Sequence, residues 1–447
     1  MASAVPLEAQ TRRRLATANL LSPASVLGLV LFICVGITAG QFYRSNPARF
    51  QGDFQVYATA SSLVLHGESS HIFDGAATGD DPQQRWANVG TVYSDAATKL
   101  GIKRVQLYVY PPILADLLVP LVILPERAAE VVWILINVFA LLLTALLLAK
   151  LLEVRISVLA PAVAASYAVG TCILWGQVTI LFLLLWTASI FAYAQGRVPV
   201  SAVAMALATS IKLTPLIVIA PFFIWCDWKW LRSYALSFAA LFAAMCAVNG
   251  PSAVTIYLKD VIPAMSRGVV NTENKSIGSS VQLLYASLHG SSVTIGKTVT
   301  SPSPHAVLIL GNVLALALVI AVLAAIARAG RHLNTSGRLL ALSMLALVSA
   351  CAAPVSWRHA YVVALLPLVM LWTRALRERT ALRDLALLGL CTLELGSFVF
   401  DTLTGHLVHG VLLACESFLA PTCALVLAFY FLRLQPLRTF SLASGAK

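Results

Sequence analysis

Residues 131–152 read VVWILINVFALLLTALLLAKLL, apolar throughout except for Asn137, Thr144 and Lys150. A helix rises about 1.5 Å per residue, so a run of ~20 apolar residues spans the ~30 Å hydrocarbon core of a bilayer. Runs of this kind recur along nearly the whole chain. No water is present in hydrocarbon to satisfy backbone polar groups, so a spanning segment must be a helix or a strand of a closed barrel. Barrel strands alternate apolar and polar residues over about ten positions, and these runs do not alternate. The chain is therefore predicted to be an all-α polytopic membrane protein, one transmembrane domain over residues 1–447. Its composition agrees: 59% hydrophobic and 11% charged residues, with a mean hydropathy of +0.84.

The formal charge of +12 points to nucleic acid only if its placement is ignored. The surplus sits in short connections between apolar runs: Arg12, Arg13 and Arg14; Lys229 and Arg232; Arg328, Arg331 and Arg338; Arg374, Arg377, Arg379 and Arg383; Arg433, Arg438 and Lys447. Such clustering marks cytoplasmic loops, and membrane lipids rather than nucleic acid are the expected surroundings. The eight cysteines lie in or beside apolar segments without metal-like spacing, so neither a disulfide framework nor a metal site is expected. The arginine cluster followed by an apolar run resembles a signal peptide, but no small-residue cleavage site is evident and further apolar segments follow, so a retained first helix over 23–42 is predicted.

With both termini cytoplasmic, residues 43–110 form a long first outer loop and residues 250–304 a second, while residues 356–359 and 400–408 also face outward. The stretch DFQVYATASSLVLHG places Phe54, Tyr57 and Ala58, then Ser61, Ser62 and Leu65, at helical spacing, which predicts a short amphipathic helix lying on the membrane surface. Between residues 110 and 226 two topologies are open. Either PPILADLLVPLVIL crosses and 198–225 form one kinked helix, or that run is re-entrant and Lys212 sits at an outer-face break between two short helices. Both give about twelve crossings, and the second keeps Lys212 out of the hydrocarbon, where a cation is costly.

Polar residues collect at the outer ends of the apolar segments: Asp53; Tyr57; Tyr110 with Pro111 and Pro112; Gln177; Lys212; Asn274, Lys275 and Ser276; Trp357, Arg358 and His359. Each has a plain reading. Tyrosine and tryptophan at segment ends form interfacial belts, a lysine near a helix end reaches for headgroups, Asp53 suits an N-cap, and Asn274-Lys275-Ser276 fits a glycosylation sequon. The ordered set carries more than its members. GDF with a tyrosine three residues on, YPP, GQV, ATSIKLTP and PVSWRH occur in an order and spacing that resemble the GT-C superfamily of membrane glycosyltransferases. The closest resemblance, over about residues 50–375, is to the family-87 type, whose members include polyprenyl-phosphate-mannose-dependent α-mannosyltransferases. That family often has two adjacent histidines after the tryptophan motif; here His359 is followed by Ala360.

The resemblance implies a GT-C-like fold and a glycosyltransferase of the bacterial inner membrane, working at its outer, periplasmic face. Its donor would be a polyprenyl-phosphate hexose, first of all mannose, and its acceptor a lipid-linked or envelope glycan. Asp53 would be the general base, and Lys212, Arg358 and His359 would bind the donor phosphate. Tyr57, Tyr110, Gln177, Asn274, Lys275 and Trp357 would hold sugar or acceptor. No cofactor is expected beyond the lipid-linked donor; a divalent ion at Asp53 stays open. The residue types suit that chemistry. A hydrolase of the common kind needs a second carboxylic acid for a poor leaving group, whereas a lipid phosphate leaves readily once fixed cations and donors stabilise it. An inverting displacement then follows. The rival reading, a multi-pass transporter or lipid flippase, predicts ionisable residues at mid-bilayer depth and repeat symmetry; Glu394 and Asp116 are the candidates for such positions. A glycan polymerase or ligase predicts a large outer loop late in the chain, where this one has its longest loop early.

Overall fold

The computed structural model describes residues 52–75, 91–102, 105–291, 303–330, 333–378, 380–399 and 410–433, with isolated positions between them. Of the predicted first helix only residues 27, 30 and 31 are described, and the 400–408 segment and both termini lie outside the described residues. Among those described no strand occurs; the only sheet-like pairing is an isolated antiparallel bridge between Asn274 and Trp357. The all-α membrane architecture expected from the apolar runs is what the chain adopts.

The helices in chain order are α1 Gly52–Leu65, α2 Val92–Lys99, α3 Pro112–Val122, α4 Glu126–Leu152, α5 Ile156–Ala164, α6 Tyr167–Trp175, α7 Thr179–Ala194, α8 Val198–Ile211, α9 Ile219–Ile224, α10 Trp228–Ile256, α11 Ile262–Ser266, α12 Ile277–Leu288, α13 His305–Ala329, α14 Thr335–Ala352, α15 Leu365–Arg377, α16 Leu382–Ser397, α17 Val411–Glu416 and α18 Leu419–Arg433. Among the described residues, six helical segments are long and apolar enough to cross a bilayer. The pair α5 and α6, bent by 65°, would make a broken seventh. The rest of the expected twelve would have to come from shorter pieces such as α3, α7 and α8.

The burial pattern separates core helices from lipid-facing ones. Every residue of α14 from Leu339 to Cys351 is buried, as expected for a helix that is apolar all round and enclosed by others. On α13 only a stripe, Gly311, Ala315, Leu318, Val322, Ala325 and Ile326, is buried, while Ile309, Leu310, Val313, Leu316 and Ile320 are exposed apolar residues facing where lipid would lie. Lipid tails are as apolar as these side chains, so close packing and polar cross-links hold the helices together. The Trp230 ring on α10 lies 3.6 Å from that of Phe222 and nearly parallel to it. Trp230 Nε1 donates to Ser201 Oγ on α8 (3.0 Å), and Tyr234 hydroxyl donates to Thr209 Oγ1 (3.0 Å).

Two expectations change, and one of two open alternatives drops out. The α1 segment is a helix, but not an amphipathic one at the surface. Phe54, Val56, Tyr57, Thr59, Ala60, Ser61 and Leu63 are all buried, and Ser61 Oγ donates to the Ala115 carbonyl of α3 (2.8 Å). Residues 198–225 are not one kinked helix: α8 stops at Ile211, Lys212 is extended (φ −150°, ψ 124°), and a 3-10 turn Thr214–Val218 leads into α9. The break beside Lys212 belongs to the second of the two topologies. Finally, the expected outer loop from residue 250 is largely helical. Gly250 (φ 75°, ψ 159°) and Pro251 kink α10, which runs on through a π-helical turn, Tyr257–Val261, into α11.

Helices α12 and α13 meet at Gly278 and Gly311, where a Cβ on Gly311 would come within 2.9 Å of the Gly278 Cα. Because overpacking typically costs about 1–3 kcal/mol, Gly311→Leu should lower the thermal midpoint of the purified protein. Leu310→Ala, one residue away on the exposed side, should leave it unchanged in the same melting assay.

Candidate functional site

The site begins at the corner between α6 and α7. Gly176 is left-handed (φ 65°, ψ 38°). Its N–H donates to the Ile173 carbonyl (3.2 Å) and the Gln177 N–H to that of Cys172 (2.8 Å). These two bonds make a Schellman motif, which ends a helix on a left-handed residue and favours glycine there. Space makes the same demand, since a Cβ on Gly176 would sit 2.9 Å from Phe54 Cβ. Trp133 of α4 closes the corner: its Nε1 donates to the Gly176 carbonyl (2.7 Å), and its ring stacks on Phe54 with centroids 5.6 Å apart. The short GQV motif is thus a turn whose glycine is required by backbone angle and crowding and whose glutamine is aimed by it.

Helix α1 brings Asp53 to this corner in its first turn. Gln177 Nε2 donates to Asp53 Oδ2. Tyr57, one helical turn on, donates its hydroxyl to Gln177 Oε1 (3.1 Å) and lies 3.5 Å from the Val178 N–H. Tyr110 reaches the same Oε1 at 3.4 Å and packs edge-on against Tyr57. It comes from the YPP segment, where Pro111 and Pro112 start α3. Tyr108 braces that start, donating to the Pro111 carbonyl (2.7 Å) and accepting from the Ala115 N–H (3.1 Å). Four residues singled out in the sequence therefore form one hydrogen-bonded cluster. Burial pushes the Asp53 carboxyl up to about 7, opposed by the hydrogen bond from Gln177.

The cations approach from the other side through Cys172 on α6. Its thiol donates to the His359 carbonyl (3.5 Å) and interacts electrostatically with both Lys212 and Asp53. Lys212 is in turn within electrostatic range of His359. Among the described residues no carboxylate forms a salt bridge with Lys212. Arg358 stands over the rings of Tyr167 and Phe398, 5.9 Å from each centroid, and its guanidinium reaches the Tyr167 hydroxyl (3.5 Å). Phe398 ends α16 in a left-handed conformation (φ 48°) and is fully buried, so its ring is a fixed platform.

The third group behaves differently. The carboxamide of Asn274, expected to hold sugar or acceptor, is spent on backbone. Its Nδ2 donates to the carbonyls of Val269 (2.8 Å) and Pro354 (3.2 Å), and its Oδ1 accepts from the N–H groups of Ser356 (2.8 Å) and Ser276 (3.3 Å). Two donors and two acceptor positions exhaust a carboxamide. Asn274 is wholly buried, so the sequon is closed to modification in the folded chain. Lys275 is also buried, and its backbone N–H donates to the Ser356 carbonyl (2.8 Å). Both residues tie the segment before α12 to the segment carrying Trp357, Arg358 and His359. Trp357 is half-buried.

Trp133, Cys172, Tyr167 and Phe398 belong to the site and were not singled out from the sequence. Trp133 and Cys172 sit inside apolar runs where nothing local distinguishes them from core. Tyr167 and Phe398 lie far apart in the chain and meet only around Arg358. Among the described residues, no three histidines, cysteines or carboxylates converge as a metal site would require.

An all-helical membrane protein that holds a half-buried acid at a helix corner, with Lys212 reached through Cys172 of the same corner, has parts that suit a membrane-embedded transferase. Residues 108–354, more than half of the chain, match the sequence profile of glycosyltransferase family 87, and the protein belongs to this family of GT-C type membrane glycosyltransferases. The chain has no match among curated proteins. Family membership favours glycosyl transfer over the transporter reading.

The Asn274 cross-links yield a stability prediction. Leaving buried backbone donors and acceptors without partners costs about 1–3 kcal/mol, so Asn274→Ala should lower the unfolding midpoint in a detergent melt. Thr255→Ala, whose hydroxyl bonds only within its own helix at an exposed position, should leave that midpoint in place.

Proposed function

We propose that the protein transfers a hexose, with mannose the first candidate, from a polyprenyl-phosphate donor to a lipid-linked or envelope glycan at the outer face of the bacterial inner membrane. The observation that carries this reading is the Asp53 carboxyl, half-buried, held by Gln177 and pushed up to about 7 by burial, at a helix corner whose Cys172 interacts with both Asp53 and Lys212.

In the proposed reaction the acceptor hydroxyl oxygen forms a bond to the anomeric carbon of the donor. Asp53 takes the hydroxyl proton. The bond from the anomeric carbon to the phosphate oxygen breaks, and its electron pair leaves with the lipid phosphate. Attack from the face opposite the phosphate inverts the anomeric centre, so a β-linked donor gives an α-linked product. A base with a pKa near the working pH combines adequate ionisation with adequate basicity. Lys212 and Arg358 hold the donor phosphate as negative charge grows on it, which preorganised cations do without reorganising, and His359 can donate a ring N–H to it. Arg358 suits this work because its guanidinium is pre-set on two rings and can meet phosphate in a bidentate manner. Tyr110 and Trp357, both half-buried, are the sugar-facing candidates; Tyr57, Asn274 and Lys275 support them from behind.

The test is transfer of radiolabel from polyprenyl-phosphate-mannose to a lipid acceptor by protein reconstituted in nanodiscs. A positioned base contributes typically ~10²–10⁴-fold, so Asp53→Asn should lose activity by a factor in that range, and undiminished transfer by this variant would refute the assignment. The pH profile has a definite sign. The base works when ionised and its carboxyl titrates at about 7, so kcat/KM should rise with pH up to that point and level off above it.

A further inference from the structure

We infer that Gln177 is a positioning residue for the Asp53 carboxylate rather than a contact for sugar, because hydroxyl groups converge on its Oε1 and leave its Nε2 to face the acid. The inference rests on Asp53 being the general base.

The orientation of this carboxamide follows from its neighbours. Tyr57 hydroxyl lies 3.1 Å from Oε1, Tyr110 hydroxyl 3.4 Å and Thr179 Oγ1 3.5 Å. The Val178 N–H approaches the Tyr57 oxygen at 3.5 Å, so that hydroxyl accepts from Val178 and is left to donate to Gln177. An ionised carboxylate is acceptor-only, so the group facing it must be the NH₂. Turning the amide over would set Oε1 against the carboxylate and its NH₂ against the Tyr57 and Tyr110 hydroxyls. Nothing else about the residue is free to adjust. Its backbone is held by the Schellman corner, and the corner carbonyl is held by Trp133.

Burial separates this role from sugar binding. Gln177 is 1% exposed, so a hydroxyl of a substrate in the site has no path to its carboxamide. Asp53 is half-buried, with an open side left for an acceptor. The clamp fixes one carboxylate oxygen, Oδ2, and leaves Oδ1 as the atom available to take a proton. It also acts on the charge. The hydrogen bond favours the ionised form and offsets part of the burial effect, so Gln177 lowers the pH at which the base becomes competent. The titratable groups facing Asp53 from the packed elements are Tyr57 on its own helix, Tyr110 ahead of α3 and Cys172 on α6. None is charged near neutral pH in its ordinary state, so among these neighbours the amide is what tunes the carboxylate, against the larger effect of burial.

The test compares wild type, Gln177→Glu and Gln177→Met in the same nanodisc assay, with thermal melting as a check on folding. Gln177→Glu keeps the acceptor oxygens for the tyrosines and replaces the donor with a second acid, so the two carboxylates share a proton until a higher pH. Gln177→Met keeps length and removes polarity. Misplacing a reacting group by about 1 Å can cost ~10²-fold, so both variants should lose kcat by roughly 10- to 100-fold with donor and acceptor KM unchanged. The acid limb of the pH profile should move to higher pH in both. Infrared difference spectra against Asp53→Asn, titrated without substrate, should show the carboxylic acid band persisting to higher pH in Gln177→Glu than in wild type. A raised KM with kcat and the acid limb unmoved would overturn the inference in favour of a sugar contact, and so would an unshifted carboxyl titration. If Gln177→Met does not fold, the isosteric Gln177→Glu decides. The infrared readout needs no turnover, so it judges the clamp even if the proposed transfer reaction fails in the Asp53→Asn comparison.

Discussion

The site depends on one left-handed residue. Gly176 lets α6 end in a Schellman corner, and that corner sends Gln177 inward and opens a gap into which Phe54 of α1 fits. Any side chain at residue 176 would meet Phe54 Cβ at van der Waals overlap, at 2.9 Å. Trp133 bonds the glycine carbonyl and stacks on Phe54, so α1, α4 and the α6–α7 corner lock together around a backbone conformation that few residues adopt without strain. The placement of Asp53 follows from this arrangement.

The remaining candidates share a feature with that corner, since each lies where a helix ends or breaks. Tyr110 precedes the two prolines that start α3, Lys212 is the extended residue after α8, and Asn274 to Ser276 lead into α12. Trp357 and Arg358 sit at the entry to a 3-10 segment, and the Phe398 platform is a left-handed helix end. Non-helical backbone within a membrane protein is tolerated where protein encloses it or where it lines a cavity. The hydrogen bonds of Asn274 to Val269, Pro354 and Ser356 show what this requires, because backbone groups freed by two breaks are satisfied by one buried carboxamide. Polar residues with a structural role are therefore interleaved along the chain with the candidate site residues.

Much of the architecture was legible in the amino-acid order because lipid is an undemanding solvent to read. A stretch like residues 131–152 has no stable alternative to a helix once it is placed in hydrocarbon, and the breaks beside Lys212 and after Trp175 are marked by a cation and a glycine. The α1 segment shows the limit. Its spacing is helical and its hydroxyls look solvent-facing, yet Ser61 and Thr59 are buried, their hydroxyls bonded to backbone carbonyls. A serine or threonine that can return its proton to the chain is polar by composition and apolar in effect.

What the sequence determined by itself is the class of fold, the family resemblance and the ordered set of polar residues at segment ends, because each rests on composition or spacing along the chain. Tertiary structure alone decided how those residues divide. Asp53, Gln177, Tyr57 and Tyr110 came together as one hydrogen-bonded cluster, Asn274 and Lys275 were drawn into the interior, and Trp133, Cys172, Tyr167 and Phe398 were added from segments with no local mark. The physical reason is that a hydrogen bond or ring contact is a relation between side chains brought within a few ångströms of each other. Residues 53 and 177 acquire theirs only when a left-handed glycine turns the chain so that the two meet.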